Sequence, residues 1–582
     1  MTCTPLLMNI GVTGHRDIRP EEKDQIETQL RTLLESLLNR YPNLAIQVIT
    51  GLAEGADQLA TRLCLAMMAE GKKVTPLTVY PMPLDQYRND FTGIALDEFE
   101  LLHLQLLEGG LPIIELPAAA CRVDCYTKLG DYLINKTDML VAIWDARNLS
   151  SSGAEPKRGG TEYVASQALN SLGTFLRSDE WSKGKNMASH IHGYLHNSDT
   201  LPVYCIAAGR ESTAPISSAS KSGYVVKMSD SGLQIGNELQ SDVARNFRDL
   251  NKLSGELNST PARTPNYPCD SHDKYMEIST DLKRIADNFY RFDGLANSLQ
   301  VKTHRLHLGI AILTLTLTFV FLFYAKLFSN PFILAGYVAI FVFGYVWYVI
   351  AKPNDTKFRY ALSRTVAESL RTEFFWQAGG IVGPYGDQSL ARQIPGQGLA
   401  KSRIVSSIIK QSSYLGASRA PTFSKHDILS DWITSQKHYY NKVKQRLHKE
   451  HQQIERKVKV SIVLPIVLCV GLLLFYSTLK YSVVFPGLTL TWKDLIVFLA
   501  GLIPVFGAVV ELHSNNKSVQ DHYAQYDASE RSLERVEELL KASNNTPLNH
   551  AILQAAGMEL SREHIQWLAT TERKAMVPAH GG

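Results

Sequence analysis

Three stretches of this 582-residue chain combine glycine with charged or hydroxylated side chains in an order suited to holding an anion. In Gly11-Val12-Thr13-Gly14-His15-Arg16 the glycines let the backbone approach a ligand, and Arg16 supplies a planar fork for phosphate or carboxylate. His15 has the chemistry of a general base, and beside Arg16 a phosphate-facing or structural role fits it at least as well. Thr50-Gly51-Leu52-Ala53-Glu54-Gly55-Ala56-Asp57 reads as the start of a helix whose free amides hold an anion, with Asp57 capping the helix or meeting a ribose hydroxyl. Asp145 precedes a Ser- and Gly-rich stretch expected to be mobile, and then Arg158-Gly159-Gly160-Thr161-Glu162 opens another helix. Each stretch alone has a plainer reading, with the glycines as turn punctuation and Asp57 and Glu162 as helix-end charges. A common site requires a fold that brings the three together.

Such a fold is predicted over residues 1–210. Short apolar runs at Leu7 to Val12, Ala45 to Ile49, Lys73 to Val79, Leu111 to Glu115, Met139 to Trp144 and Val203 to Ile206 alternate with helical patterns. That rhythm predicts an α/β, Rossmann-like parallel sheet wrapped by helices. Ligands of such sheets lie beyond the carboxyl ends of the strands, so the Gly11, Gly51 and Gly159 entrances should meet along one edge.

These residues resemble the SLOG superfamily. Thr50 to Asp57, followed by Leu59 and Ala60, looks like its "SGxAxGxDxxA" element, and the Gly14-His15-Arg16 start, the "NKTDMLVAIWD" strand and the following "GGT" fit the same likeness. The resemblance covers the first 210 residues or so and implies nucleotide binding, through Gly11, Thr13, Gly14, His15, Arg16, Thr50, Gly51, Ala53, Glu54, Gly55, Asp57, Asp145, Arg158, Gly159, Gly160, Thr161 and Glu162. Phosphoribohydrolases of the superfamily carry "PGGxGTxxE", with glutamate three residues after the threonine. Here that position is Val164, and Glu162 stands two residues earlier, rotated by roughly 200° on a helix. The resemblance therefore implies a ligand sensor without a catalytic residue more than it implies a hydrolase.

The remainder of the chain is dominated by four apolar runs. Residues 308–325 and 332–350 are each about the 18–20 residues a helix needs to cross roughly 30 Å of hydrocarbon, and a link of only Lys326 to Pro331 forces a hairpin. A second pair follows at 460–479 and 495–512, free of charge apart from Glu511 in the last turn. The alternative, buried helices of a soluble protein, expects runs nearer 10–14 residues with an amphipathic pattern. Lys302, His304 and Arg305 before the first span, Lys352, Lys357 and Arg359 after the second, and Arg446, Lys449, Arg456, Lys457 and Lys459 before the third predict cytoplasmic feet and cytoplasmic termini. With no charge inside the spans, a secondary transporter is disfavoured. Thr314 and Thr318 share a face and either line an aqueous seam or bond their own helix, while Gly501, Pro504 and Gly507 permit close packing or a kink.

Composition adds limits. Lys plus Arg number 60 against 56 Asp plus Glu, a net charge of +4 that gives no reason to expect nucleic-acid binding. The seven cysteines show no zinc-type pairs and read as reduced thiols; no metal site is expected, and the N-terminus does not read as an export signal. The expected order is the sheet domain at 1–210, a flexible coupling region at 211–273 with a short helix near Asp242 to Leu253, a helix-hairpin-helix module at 274–380, a linker at 381–430, a second module at 431–545, and a C-terminal helix and tail at 546–582. Glu368 and Glu530 stand equally far beyond their spans, which suggests that the modules are repeats.

The hairpin modules resemble SLATT domains, two-span effector modules that accompany SLOG domains in bacterial conflict systems. The combination implies an anti-phage effector of the bacterial inner membrane. A nucleotide-derived signal of cyclic-nucleotide or ADP-ribose type would bind the sheet, and the spans of a homo-oligomer would then open a pore or disrupt lipid. Two rivals remain: a membrane-anchored nucleotide or NAD hydrolase using Glu162 or Asp145 as acid or base, and a constitutive scaffold.

Overall fold

The computed structural model describes residues 4–145, 158–169, 201–212, 222–229, 232–259, 278–351, 353–382, 389–390, 402–414, 422–484, 490–517 and 519–576. The expected Ser- and Gly-rich stretch after Asp145 and much of the 381–430 linker lie outside them. Within these residues the expected class holds: an α/β sheet region, then an all-helical region with four long apolar helices.

The chain opens with β1 (Leu7–Gly14), α1 (Lys23–Arg40), β2 (Ala45–Thr50), α2 (Ala56–Ala69), β3 (Val74–Tyr80), α3 (Ile94–Glu108), β4 (Ile113–Glu115), α4 (Arg122–Lys136), β5 (Met139–Trp144), α5 (Thr161–Ala168) and β6 (Val203–Ala207). All six residues of β2 and of β5 are buried, as expected when helices cover both faces of a parallel sheet and every side chain must be accommodated in a core. Strand order is β4-β3-β2-β1-β5-β6, all parallel, continued by antiparallel β7 (Gly223–Ser229) and β8 (Gly232–Gly236). The chain therefore travels outward from β1 to β4 and returns to the opposite side of β1 with β5. That reversal creates a topological switch point between β1 and β5, where a crevice opens at the carboxyl edge.

Two parts of the sheet region differ from expectation. Residues 223–236, predicted as flexible coupling, extend the sheet by two strands; the serines and glycines there hid the pairing. Helix α6 (Ser241–Ser259) then packs back through Val243, Phe247, Leu250, Leu253 and Leu257, a spacing that puts all five on one buried face. Further on, after α7 (Thr280–Lys326), α8 (Pro331–Ala351) and α9 (Pro353–Ala378), part of the expected linker forms α10 (Ser402–Ser412). Gln411 Oε1 accepts the Leu7 amide at 2.6 Å, and Lys410 Nζ donates to the Thr137 carbonyl at 2.7 Å. Lys136 Nζ donates to Ser413 O at 2.6 Å, and burial lowers this ammonium to about 8. Leu7 begins β1 and Thr137 stands two residues before β5, so α10 closes the amino end of the two strands whose carboxyl ends form the crevice.

By compactness, residues 1–294 and 365–426 form one unit, and 295–364 with 427–582 form the other. The four spans thus share one unit. The second unit contains the apolar parts of α7 and α8, then α11 (Ser435–Leu474), α12 (Trp492–Lys517), α13 (Val519–Ala542) and α14 (Thr546–Met576). Four of its helices are long and apolar enough to cross a membrane, and large side chains such as Phe343 (71%) and Leu473 (76%) face outward. This pattern points to a multi-pass membrane protein. Spans pack through small residues: a Cβ on Gly507 would meet Ser461 Oγ at 1.8 Å, and one on Gly344 would meet Leu313 Cδ2 at 2.4 Å. Thr314, Thr316 and Thr318 each donate at 2.9 Å to the carbonyl four residues earlier, so their hydroxyls bond their own helix.

Beyond the spans, Lys444 of α11 pairs with Asp527 of α13 at 3.1 Å and also binds Glu530. Glu368 bonds Arg371 in its own helix at 2.8 Å.

Candidate functional site

The crevice is built from the segments that follow β1, β2 and β5, held together by glycine. Gly14 ends β1, and a Cβ there would meet Ala56 Cβ at 2.3 Å. Gly55 caps α2 with φ of +81°, and a Cβ would lie 2.4 Å from the Arg16 carbonyl. The Ala56 amide donates to His15 O at 3.1 Å, fastening the start of α2 against the turn after β1. Gly159, at φ +75°, packs on α4, with its notional Cβ 2.8 Å from Tyr126 Cβ. These contacts leave no room for a side chain at any of the three positions. Gly11 is placed differently, since β1 runs beyond it to Gly14, it pairs with Leu140 inside the sheet, and a Cβ would strike Thr137 Cγ2 at 2.8 Å. It is a packing residue of the strand and does not stand at the carboxyl edge. Thr13 pairs with Ala142 one residue before that edge.

His15 and Asp145 clasp the switch point. His15 Nε2 lies 3.1 Å from the Asp145 amide nitrogen and 3.2 Å from Asp145 Oδ1. Unprotonated, Nε2 accepts the amide hydrogen; protonated, it donates to the carboxylate. Both states hold the end of β1 to the end of β5, which favours the structural role of His15 among those open from sequence.

The turn after β2 folds inward. Asp57 Oδ2 accepts the Gly51 amide at 3.0 Å and lies 3.4 Å from the Ala53 amide, so its carboxyl closes the loop that contains Leu52 at φ +55°. Burial pushes this carboxyl up to about 7, against the two amides and the charge of Arg16. Thr50 bonds Thr61 Oγ1 at 2.9 Å in the core. Thr50 and Asp57 thus shape the loop from within, while Glu54 is exposed and Ala53 and Gly55 line its outer surface.

Arg16 stands apart from these. Its guanidinium lies over the Tyr126 ring, 4.7 Å from the centroid, and no carboxylate of the described residues is within 4 Å. Burial works against its charge, but Tyr126, Tyr87 and Asp57 outweigh that and raise its pKa. The nearby Asp90 carboxylate is bound instead by Arg122 and by the Tyr126 hydroxyl. Tyr87, buried at the end of the short helix Leu84–Tyr87 that follows β3, donates to the Gly51 carbonyl at 2.9 Å. Tyr87, Asp90, Arg122 and Tyr126 escaped the sequence reading because glycine marked the other segments and none of these four neighbours one. Their signal was position, since they follow β3 and β4 at the same edge.

On the β5 side, Gly160 caps α5, Thr161 and Glu162 form its first turn, and Arg158 is exposed just before it. Val164 is buried and fills the space over Gly130, whose notional Cβ would lie 2.7 Å from Val164 Cγ2. Among the described residues no group of three or more His, Cys, Asp or Glu could hold a metal ion. No protein-family model and no curated protein matches the chain.

Proposed function

We propose that this chain is a ligand-sensing membrane effector whose crevice takes the phosphate of a nucleotide-derived molecule, of cyclic-nucleotide or ADP-ribose type. One observation carries the reading: Arg16 is held over Tyr126 without a carboxylate partner, at the switch point and beside glycine-lined helix starts. A cation left without a carboxylate at the carboxyl edge of the sheet, beside the starts of α2 and α5, suits an anionic group. Binding changes the spans only to the extent that it favours one of their states, and the chain supplies a direct route, since it passes between the two units within helical segments at 294/295, 364/365 and 426/427. Four spans enclose little space, so a conducting path requires several protomers. With cytoplasmic termini in a bacterial inner membrane, the output would be a pore or a lipid defect, as the likeness to SLOG and SLATT proteins implies for anti-phage defence.

Buried Val164, where related hydrolases have glutamate, and the engagement of Asp145 by His15 favour sensing over hydrolysis. The test is titration of the full chain in detergent with cyclic nucleotides and ADP-ribose, paired with dye leakage from liposomes. Arg16→Ala should weaken binding by about 10- to 100-fold, the scale of a lost charge-assisted pair, and abolish leakage. Binding and leakage untouched by Arg16→Ala would leave the scaffold reading. Released base that disappears in Glu162→Gln would replace the proposal with the hydrolase.

A further inference from the structure

The second unit contains a groove of about 580 Å³ among α7, α11 and α12, within the range of roughly 300–1,000 Å³ common for small-ligand sites. One end is apolar, walled by Leu308, Ile312 and Leu315 of α7 and by Phe506 and Val510 of α12. The other is cationic, formed by Arg446, Lys449 and Lys457 of α11. These three occur at positions i, i+3 and i+11, on one face of the helix and spread over roughly 16 Å of its length.

The groove lies at one end of three spans. Leu308 begins the first apolar run, Lys457 comes just before the third, and Val510 comes at the close of the fourth. Packing sets these ends level: the His304 and His513 rings are 5.7 Å apart, and Gly507 of α12 meets Ser461 of α11. The apolar end thus falls within the hydrocarbon depth of the spans, and the cationic face begins at Lys457 just outside it and continues outward along α11 to Arg446. Among the described residues none of the three cations has a carboxylate within 4 Å, and Glu450 on the same face leaves cations in excess.

We infer that this groove binds an acidic phospholipid, its phosphate along the Arg446–Lys457 face and an acyl chain against Leu308, Ile312 and Phe506. A soluble anion would satisfy only the cations and leave the apolar wall bare. A zwitterionic lipid would satisfy only the wall. The site rests on the four helices spanning a membrane and is independent of the proposed crevice ligand.

The full chain, purified in detergent, is titrated with phosphatidylglycerol and with phosphatidylcholine, and bound lipid is counted by native mass spectrometry. The expected result is preferential retention of phosphatidylglycerol. Replacing Arg446, Lys449 and Lys457 together by Gln should lower its affinity at least about tenfold, given about fivefold for each cation near an anionic headgroup. The same substitution at Lys442, Arg456 and Lys459 removes equal charge from outside the groove and should change affinity less than about twofold. Ile312→Trp keeps every charge, obstructs the apolar end and should also release the lipid, which guards against misfolding of the triple variant. Equal losses in the two triple variants would replace the groove with a diffuse basic surface. Equal retention of phosphatidylcholine, full retention in Ile312→Trp, or displacement by glycerol phosphate as effective as by lipid would each overturn the proposal.

Discussion

Strand β5 (Met139–Trp144) and the start of the third span (Val460 to Leu464) are both uncharged, and the structure treats them in opposite ways. Val141 is 0% exposed in the middle of the sheet, whereas Ile462 and Val463 are 57% and 58% exposed on α11. A strand of six residues can be enclosed by helices on two faces, and its neighbours satisfy its backbone. An apolar helical run of about 18 residues, bonded within itself, needs no neighbour and can face hydrocarbon directly. Equal hydrophobicity therefore serves two solvents, a protein core for one and lipid for the other.

The comparison is broken most severely by a carboxylate on each side. Val141→Asp should abolish folding of the sheet, because an unpaired acid in that core costs about 4 kcal/mol or more, read as lost hydrogen-exchange protection in β1, β2 and β5. Val463→Asp should instead reduce membrane insertion, by less than the roughly 2.5–3.5 kcal/mol that an aspartate costs at the centre of a span, measured by glycosylation mapping. If Val463→Asp inserts normally and improves solubility without detergent, the third run faces water and the contrast fails.

The next effect probes what burial does to a charge the sheet already contains. Asp57 binds its proton more tightly folded than unfolded, so its contribution is full below pH about 4 and disappears as pH rises through about 7. The difference between about 7 and an ordinary aspartate bounds that loss at roughly 4 kcal/mol. Asp57→Asn keeps an acceptor for the Gly51 amide, so the fall in β2 protection between pH 4 and 7 should vanish. An unchanged slope would show that Asp57 is ionised at little cost.

Smaller effects sharpen the contrast from the side of the helical unit. Gly507→Val must push α12 away from Ser461, and overpacking of this kind costs about 1–3 kcal/mol, measurable as a lower unfolding temperature in detergent. Thr314→Val and Thr318→Val should change stability and leakage least, within about 1 kcal/mol, because each hydroxyl serves only its own helix. A large change in leakage would instead make these threonines part of a conducting surface.

Much of the fold was legible. All six parallel strands coincide with apolar runs, and all four spans with runs of about 18 residues or more, because run length and periodicity are local properties. The site was legible only in outline. Arg16 and the glycines at 14, 55 and 159 stand where the pattern put them, yet Gly11 differs from Gly14 by three positions in one strand and has an unrelated role. Asp57 could equally have met a ribose; its turn toward Gly51 depends on a loop shape that its own sequence does not dictate. Tyr87 and Tyr126, 39 residues apart in the numbering, meet around Arg16 only because β3 and β4 end at the same edge.

The amino-acid sequence by itself determined which segments are strands, which are helices and which of those helices suit lipid, since backbone bonding and hydrophobic periodicity act over a few residues. Tertiary structure alone decided that residues 223–236 complete the sheet, that α10 closes its amino end, and that Arg16 is left with an aromatic face in place of a carboxylate. Those outcomes depend on contacts between residues tens to hundreds of positions apart, where shape, burial and competition for hydrogen bonds select among partners that local patterns leave equivalent.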